Sequence, residues 1–302
     1  MAVETIPTAG RHERGLLRTL RRDGRAQLAG LLFPGLFWLT LFFALPLLVI
    51  VLYSFLTPGP TGNVIWTFTL NNYVTLFTKD LYVNAYVRSL WIGVVTTVIC
   101  LLIAYPLALF VVRRSPRWRS VLLLLILIPF WTNFLVRTYA WMIILNNNGL
   151  LNSLIQAIGL PRQTLLNTTG AVLTGLVYGE LPFMVLPIYA SLDRFDFTLL
   201  EAASDLGANR TRAFLRIMLP LTMPGVAAGS VLVFIPTVGQ FVVSDLLGGA
   251  KVDMLGNLLQ RLFTRSNPPN WPLGSSMALI FMIILTAAVI VYFRNTSEAD
   301  RG

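Results

Sequence analysis

Residues 201–220 read EAASDLGANRTRAFLRIMLP, a polar stretch of twenty residues between long apolar runs. Thr198 and Glu201 have the spacing of a capping box, in which two side chains satisfy free amides at a helix start. Gly207 suits the left-handed residue that ends a helix, and Asn209 or Thr211 suits the start of a second helix. The stretch therefore predicts two short helices in contact with water, either as a contact surface or as an amphipathic loop lying on a membrane.

The composition around this stretch is that of an integral membrane protein. Of the 302 residues, 56% are hydrophobic and 12% are charged, and the mean hydropathy is +0.72. Six apolar runs reach the roughly 20 residues that cross a bilayer core, namely residues 31–55, 85–112, 121–145, 169–192, 224–247 and 273–293. We predict an all-α membrane domain at 31–293, with the polar stretch inside a connecting loop at 193–223.

The net charge of +10 is concentrated in alternate connections of the chain. Arginines cluster before residue 27, at 113–119 and at 194–216. Because basic residues accumulate on the cytoplasmic side of membrane proteins, this distribution predicts cytoplasmic tails at 1–30 and 294–302. The charge is then a feature of membrane topology, and we expect no nucleic-acid partner.

Cysteine and histidine are almost missing from the sequence. Cys100 and His12 are the single examples of their types. An intramolecular disulfide is therefore impossible, and neither a cluster of metal ligands nor a histidine-based nucleophilic site can be built. The sequence argues against an intramembrane enzyme, and we expect this chain to carry neither a catalytic site nor a metal.

Charged side chains inside the predicted spans are candidate functional residues, because charge is costly at membrane depth. One interpretation pairs Arg137 with Glu180 as a structural ion pair and makes Asp245 a turn cap near Gly248. The other is a passage for a cation, lined by carboxylates and aromatic rings. The aromatic members also fit the ordinary enrichment of Trp and Tyr at membrane interfaces. The candidate pathway residues are Trp131, Asn133, Arg137, Tyr139, Trp141, Tyr178, Glu180, Gln240 and Asp245.

The polar stretch resembles the EAA loop of the permease subunits of bacterial ABC importers. The family pattern is EAA, three residues, G, nine residues and I-x-LP, and it is matched here by Glu201, Ala202, Ala203, Gly207, Ile217, Leu219 and Pro220. In that family the loop is a coupling helix that sits in a groove of the cytoplasmic ATPase. The resemblance implies that ATP and Mg²⁺ bind to the partner and not to this chain. It also implies coupling roles for Glu201, Ala202, Ala203, Asp205, Gly207 and Arg210.

A narrower resemblance covers the region from the third span to the loop after the fifth. It rests on PFWTNFLVRTYAW, NNNGLLN, LPFMVLPIYASL, EAASDLGANRTRAF and VSDLLGGAK, which together resemble the first permease subunit of spermidine/putrescine ABC importers. This resemblance implies a multi-pass permease of the bacterial inner membrane, with the type I importer fold, six spans and polyamine substrates. The implied partners are a second homologous permease, a dimer of cytoplasmic ATPases and a periplasmic or surface substrate-binding protein.

Two other functions remain open from the sequence. A permease of the same class for another small organic solute would carry the same EAA loop. An ion-coupled secondary carrier would also place charges such as Arg137 and Glu180 in its spans, but it would have no use for that loop.

Overall fold

The computed structural model describes residues 24–299, so the predicted basic tail before residue 24 and the last three residues lie outside it. Thirteen α-helices occur in this range: α1 (Gly24–Leu39), α2 (Leu45–Ser54), α3 (Asn71–Thr78), α4 (Asp80–Val112), α5 (Pro116–Trp131), α6 (Phe134–Leu145), α7 (Leu150–Ala157), α8 (Thr169–Asp193), α9 (Thr198–Asp205), α10 (Arg210–Ala213), α11 (Leu219–Gly239), α12 (Leu255–Gln260) and α13 (Trp271–Ala299). A short hairpin pairs β1 (Leu56–Pro58) with β2 (Val64–Phe68) in antiparallel fashion. Four π-helical turns lie at Thr40–Ala44, Phe214–Met218, Ser244–Gly248 and Arg261–Arg265, and a 3₁₀ turn lies at Gly249–Lys251.

Helices α4, α8 and α11 pack side by side at the centre of the molecule. Their contact depends on small residues. A Cβ atom at Gly229 would lie 2.8 Å from Sδ of Met184, and one at Gly225 would lie 2.6 Å from the carbonyl oxygen of Pro187. Small residues let helix backbones approach closely in a membrane, where no hydrophobic effect draws helices together. Met184 and Ile188 are completely buried in this contact.

The first apolar run forms a helix at Gly30–Ser54 with a mean hydropathy of 2.6, and its most apolar window contains no buried residue. Its second half, α2, packs on α13. At the end of α2 the carbonyl oxygen of Ser54 accepts hydrogen bonds from Asn72 at 3.1 Å and from Ser276 at 2.8 Å. The first half of this helix, before α2, therefore presents an apolar surface that the described residues do not cover.

The third apolar run differs from the single straight span that the sequence predicts. Helix α5 ends at Trp131, and a bend of 87° separates it from the helical segment that starts at Phe134. The backbone is extended at Thr132, and Oδ1 of Asn133 accepts a hydrogen bond from the amide of Leu135 at 2.9 Å, which caps the new helix. By length and composition, five of the described helices can cross a membrane, or six if this bent pair is one span.

The fifth apolar run is displaced from its predicted limits of 224–247. The helix that contains most of this run is Arg210–Gly239. This helix begins inside the polar stretch and ends before residue 240. Gln240 is extended, with a ψ of 132°, and the π-helical turn follows at Ser244–Gly248. The third and fifth apolar runs are thus both interrupted, and the two interruptions border the same cavity.

Candidate functional site

The EAA segment, defined here as residues 196–220, starts with an aspartate. Oδ1 of Asp196 accepts hydrogen bonds from the amide of Thr198 at 3.0 Å and from its hydroxyl at 2.8 Å. These two bonds lower the pKa of Asp196 below its ordinary value, because both stabilise the ionised form. The predicted capping box between Thr198 and Glu201 is therefore wrong, since the Thr198 hydroxyl donates to Asp196 and caps nothing.

Helix α9 ends at a glycine, as the sequence predicts. Gly207 has a φ of +85°, in the left-handed region that favours glycine. The amide of Gly207 donates to the carbonyl oxygen of Ser204 at 2.9 Å, and the amide of Ala208 donates to that of Ala203 at 2.9 Å. This pair of bonds is a Schellman motif. Asn209 then caps α10 by accepting a hydrogen bond from the amide of Arg212 at 2.8 Å, which confirms the predicted second helix.

The exposed surface of the EAA segment is mainly polar, and its exposed large apolar side chains are Leu199, Leu206 and Leu215. Leu206 is 89% exposed, the highest value among the large apolar side chains described. Of the residues to which the resemblance assigns coupling, Ala203 is buried, and those exposed are Glu201, Ala202, Asp205, Gly207 and Arg210.

Aromatic side chains attach the EAA segment to the central helices. Phe197 and Phe214, together with Leu200 and with Phe195 just before the segment, pack against the buried cluster that α4, α8 and α11 share. Phe214 also meets the ring of Tyr105 edge to face, with the centroids 5.5 Å apart. These packed contacts connect the segment to the central helices.

A cavity of about 280 Å³ lies among α5, α6, α8 and α11, beside the two interruptions. Broken helices that end at a cavity are the usual construction of a substrate site in membrane transporters, because helix ends and free backbone groups face the ligand there. Three of the nine predicted pathway residues line it. The full lining is Phe130, Thr132, Phe134, Arg137, Gly179, Glu180, Phe183 and Gln240.

The two charged residues of the cavity do not form an ion pair. Glu180, near the middle of α8, is only 9% exposed, and its Oε2 has no hydrogen-bond partner among the described residues. The buried Nε of Arg137 has none either. Ion pairs within 4.0 Å in the described chain join other residues: Arg119 to Asp193, Arg261 to Asp253 and Arg265 to Asp245. The structural ion pair that the sequence left open is therefore not formed in this structure.

Five other candidate pathway residues lie outside the cavity lining. Trp141 and Tyr178 pack against each other edge to face, with centroids 5.6 Å apart. Trp131 and Tyr139 are exposed, at 77% and 47%. Asn133 is exposed and serves as the cap of α6. These positions give each residue a packing, surface or capping role in the described chain.

Asp245 is also separate from the cavity lining. Its Oδ1 accepts a hydrogen bond from Nδ2 of Asn257 at 2.8 Å, and its Oδ2 lies 3.3 Å from the guanidinium of Arg265. Its amide donates to the carbonyl oxygen of Phe241 at 2.8 Å. These contacts tie the π-helical turn at Ser244–Gly248 to α12 and to the turn that follows α12.

Five residues of the cavity lining were not predicted: Phe130, Thr132, Phe134, Gly179 and Phe183. The local signal for the break was present, because Pro129 is followed by Thr132 and Asn133, and polar cap residues mark helix starts. Nothing in the pattern of Phe130 or Phe183 distinguishes a ring facing a cavity from one facing lipid. Within residues 24–299 no group of three or more metal-ligating side chains occurs.

Two comparisons with known sequences bear on this site. Residues 100–297 match the family described as binding-protein-dependent transport system inner membrane component. The spermidine/putrescine transport system permease protein PotB of Haemophilus influenzae is 42% identical over 266 residues, which cover 87% of this chain and 92% of that protein. The permease protein PotC of the spermidine/putrescine transport system of Escherichia coli is 32% identical over 122 residues, which cover 40% of this chain and 46% of that one.

A solved structure supports the same fold. A chain in the crystal structure of a bacterial ABC transporter that imports the acidic polysaccharide alginate superimposes with a TM-score of 0.74. The sequences are 18% identical, and the match covers 94% of this chain and 99% of the other. The likeness identifies the fold as that of an ABC importer permease.

Proposed function

The chain belongs to the inner membrane components of binding-protein-dependent transport systems, and from this premise we propose that it is the permease subunit of an ATP-driven importer of polyamines. The part of the chain that matches the family, residues 100–297, includes the EAA segment and every residue of the cavity. The substrates are those of the transport systems to which PotB and PotC belong, spermidine and putrescine.

The observation that carries the substrate class, beside the similarity to PotB, is the buried carboxylate of Glu180. A polyamine is a chain of ammonium groups joined by methylenes, so its site needs an anion and apolar walls. Glu180 offers an oxygen with no hydrogen-bond partner among the described residues, and Phe134 and Phe183 offer rings against which methylenes and ammonium groups pack. Helix α11 ends at Gly239, and its carboxyl end adds partial negative charge beside Gln240.

The EAA segment is the proposed contact with a dimer of cytoplasmic ATPases, which bind ATP and Mg²⁺. Glu201, Ala202, Asp205, Gly207 and Arg210 contribute from the exposed surface. ATP binding closes the ATPases and displaces the segment, and the packed aromatic residues pass this displacement to the central helices. The cavity then opens outward to accept substrate, and hydrolysis resets it.

The remaining partners follow from the topology. We infer that the chain crosses the inner membrane six times with both ends in the cytoplasm, and that the exposed first span covers part of a second, homologous permease. The relation to PotC, which is similar to this chain over 122 residues, supports two related permeases in one transporter. In this proposal a substrate-binding protein delivers the polyamine to the outer face, and the match to a family of binding-protein-dependent transport systems supports such a partner.

The test is uptake of labelled putrescine and spermidine in cells that lack this chain and receive either the native sequence or Glu180→Gln. The native sequence is expected to restore ATP-dependent uptake. Glu180→Gln is expected to lower uptake by about tenfold or more, because a hydrogen bond between two charged groups is replaced by a weaker one to a neutral amide.

Asp193→Asn is the matched control, because it makes the same change of carboxylate to amide in an ion pair with Arg119. The side chain of Asp193 is 42% exposed and that of Arg119 is 33% exposed. We expect uptake within about twofold of native for this control, as surface ion pairs contribute little. Equal losses in the two variants would contradict the role of Glu180. Uptake that survives ATP depletion and collapses with an uncoupler would favour the ion-coupled carrier.

A further inference from the structure

Arg137 and Glu180 line one cavity with opposite charges, and in this structure neither satisfies the other. The guanidinium of Arg137 is permanently charged at any relevant pH. A buried carboxylate oxygen without a hydrogen-bond partner is costly, so the cavity favours the approach of a cation to Oε2 of Glu180. Two cations can meet that need: the tethered guanidinium of Arg137, and an ammonium group of the substrate.

The guanidinium of Arg137 packs against an aromatic ring in this structure. Its Cζ lies 5.6 Å from the ring centroid of Phe130, within the range of a cation–π contact. Phe130 is held in turn by Phe183, edge to face at 5.1 Å with an interplanar angle of 88°. Both rings belong to the cavity lining. An arginine that rests on an aromatic face leaves the carboxylate of Glu180 open.

We propose that Arg137 is an internal competitor of the substrate for Glu180, and that Phe130 holds it aside while substrate is bound. This inference rests on the proposed function, since it requires a cationic substrate. With Arg137 on Phe130, an ammonium group of the substrate binds Glu180. When the helices around the cavity shift, Arg137 moves to Glu180, neutralises it and displaces the ammonium group. Because Arg137 takes the place of the ammonium group, substrate release does not leave a free charge at Glu180.

The test uses the complete transporter, with its second permease, ATPases and binding protein, purified and reconstituted in vesicles. Two rates are measured: uptake of labelled spermidine, and dissociation of labelled spermidine from the complex trapped by a non-hydrolysable ATP analogue. Arg137→Gln removes the competitor, so dissociation should slow by about tenfold, and uptake should fall while ATP hydrolysis continues. Phe130→Leu removes the aromatic ring against which Arg137 packs, so dissociation should speed up by about three- to tenfold.

The opposite signs distinguish this inference from a packing role, because lost packing would push both variants in one direction. Phe130→Tyr keeps an aromatic face and should recover the loss caused by Phe130→Leu. Phe110→Leu is the matched control. Phe110 makes a similar cation–π contact, with Cζ of Arg114 4.2 Å from its ring centroid, and it is not part of the cavity lining. It should leave dissociation as in the native complex. Co-purification of the ATPases confirms that each variant is assembled.

The outcomes separate the two proposals. A native complex that takes up no polyamine would defeat the proposed function, and with it this inference. A native complex that transports polyamine, with Arg137→Gln and Phe130→Leu changing dissociation in the same direction or not at all, would overturn the exchange alone.

Discussion

The EAA segment and the cavity differ in how far apart their residues stand in the sequence. The EAA segment is completed within residues 196–220, and the contacts that shape it, at Asp196, Gly207 and Asn209, join residues two to five positions apart. The cavity combines residues from position 130 to position 240 on four helices. The segment is therefore fixed by local capping chemistry, whereas the cavity exists only after the helices have packed.

This difference implies that the two regions fail in different ways. A change in a local cap should loosen the EAA segment and uncouple transport from ATP hydrolysis, with the cavity intact. A change in the cavity should weaken substrate binding, with ATP hydrolysis intact. Variants that change one region and leave the other intact should therefore separate the two kinds of failure.

Gly207→Val should uncouple the transporter. The φ of +85° at Gly207 is unfavourable for a β-branched residue, so the Schellman motif at the end of α9 should be lost. A left-handed conformation costs roughly 1–2 kcal/mol for a residue with a Cβ atom, which corresponds to about tenfold. We therefore expect substrate-stimulated ATP hydrolysis by the reconstituted complex to fall by about tenfold or more.

Gly207→Asn is the control for this prediction. Asparagine tolerates the left-handed region better than other residues with a Cβ atom, and a Cβ at this position would meet no atom within 4 Å. Gly207→Asn should therefore retain most of the stimulation. If the two variants lose equal activity, the requirement at position 207 is close contact with the ATPase and not the backbone conformation.

The same difference explains which parts of the fold could be predicted. Long apolar runs identify membrane helices by composition alone, and all six runs coincide with helical segments, although the third and the fifth are interrupted. The bend at Thr132 and Asn133 was missed because apolar residues continue on both sides of it. Within the EAA segment, Gly207 and Asn209 were predicted because a cap depends on its neighbours in sequence. The error at Thr198 is also local, since Asp196 is a competing acceptor two residues earlier.

The candidate site was less predictable. Arg137 and Glu180 were found because charge is rare at membrane depth, and that rule concerns single residues. Their separation, with the guanidinium on Phe130, depends on rotamers and on the meeting of α5, α6 and α8. A sequence pattern carries no information about either. Asp245 obeys the same rule of rarity, but Asn257 and Arg265 occupy its oxygens.

Asp245→Ala should have an effect of intermediate size. If Asp245 only ties the outer turns together, its removal loses an ion pair in which Arg265 is 57% exposed, and it leaves Asn257 with a second partner, the carbonyl oxygen of Phe241 at 3.1 Å. We expect spermidine uptake to fall by about threefold or less. A decrease as large as that of Glu180→Gln, with ATP hydrolysis retained, would mean that Asp245 lies on the substrate route.

The smallest expected effect concerns the hydrogen bonds that Asp196 accepts from Thr198 at the start of α9. Two substitutions of Asp196 separate the effect of its charge from that of its hydrogen bonds. Because its folded pKa is lowered, the carboxylate stabilises α9 above its ordinary pKa of about 3.9, and this stabilisation is lost as pH falls through the lower folded pKa. At pH 7 it is fully present. Asp196→Ala removes the acceptor for Thr198, and Asp196→Asn keeps a carbonyl oxygen there.

Trypsin cleavage after Arg210, followed by mass spectrometry at pH 7 on the reconstituted complex, measures how often the EAA segment opens. We expect cleavage to be about two- to threefold faster in Asp196→Ala than in the native chain, and near the native rate in Asp196→Asn. If Asp196→Asn is as labile as Asp196→Ala, the negative charge at the helix start, acting on the helix dipole, holds α9 in place. Local cap geometry alone would then not explain why the helices of this segment could be predicted from the sequence.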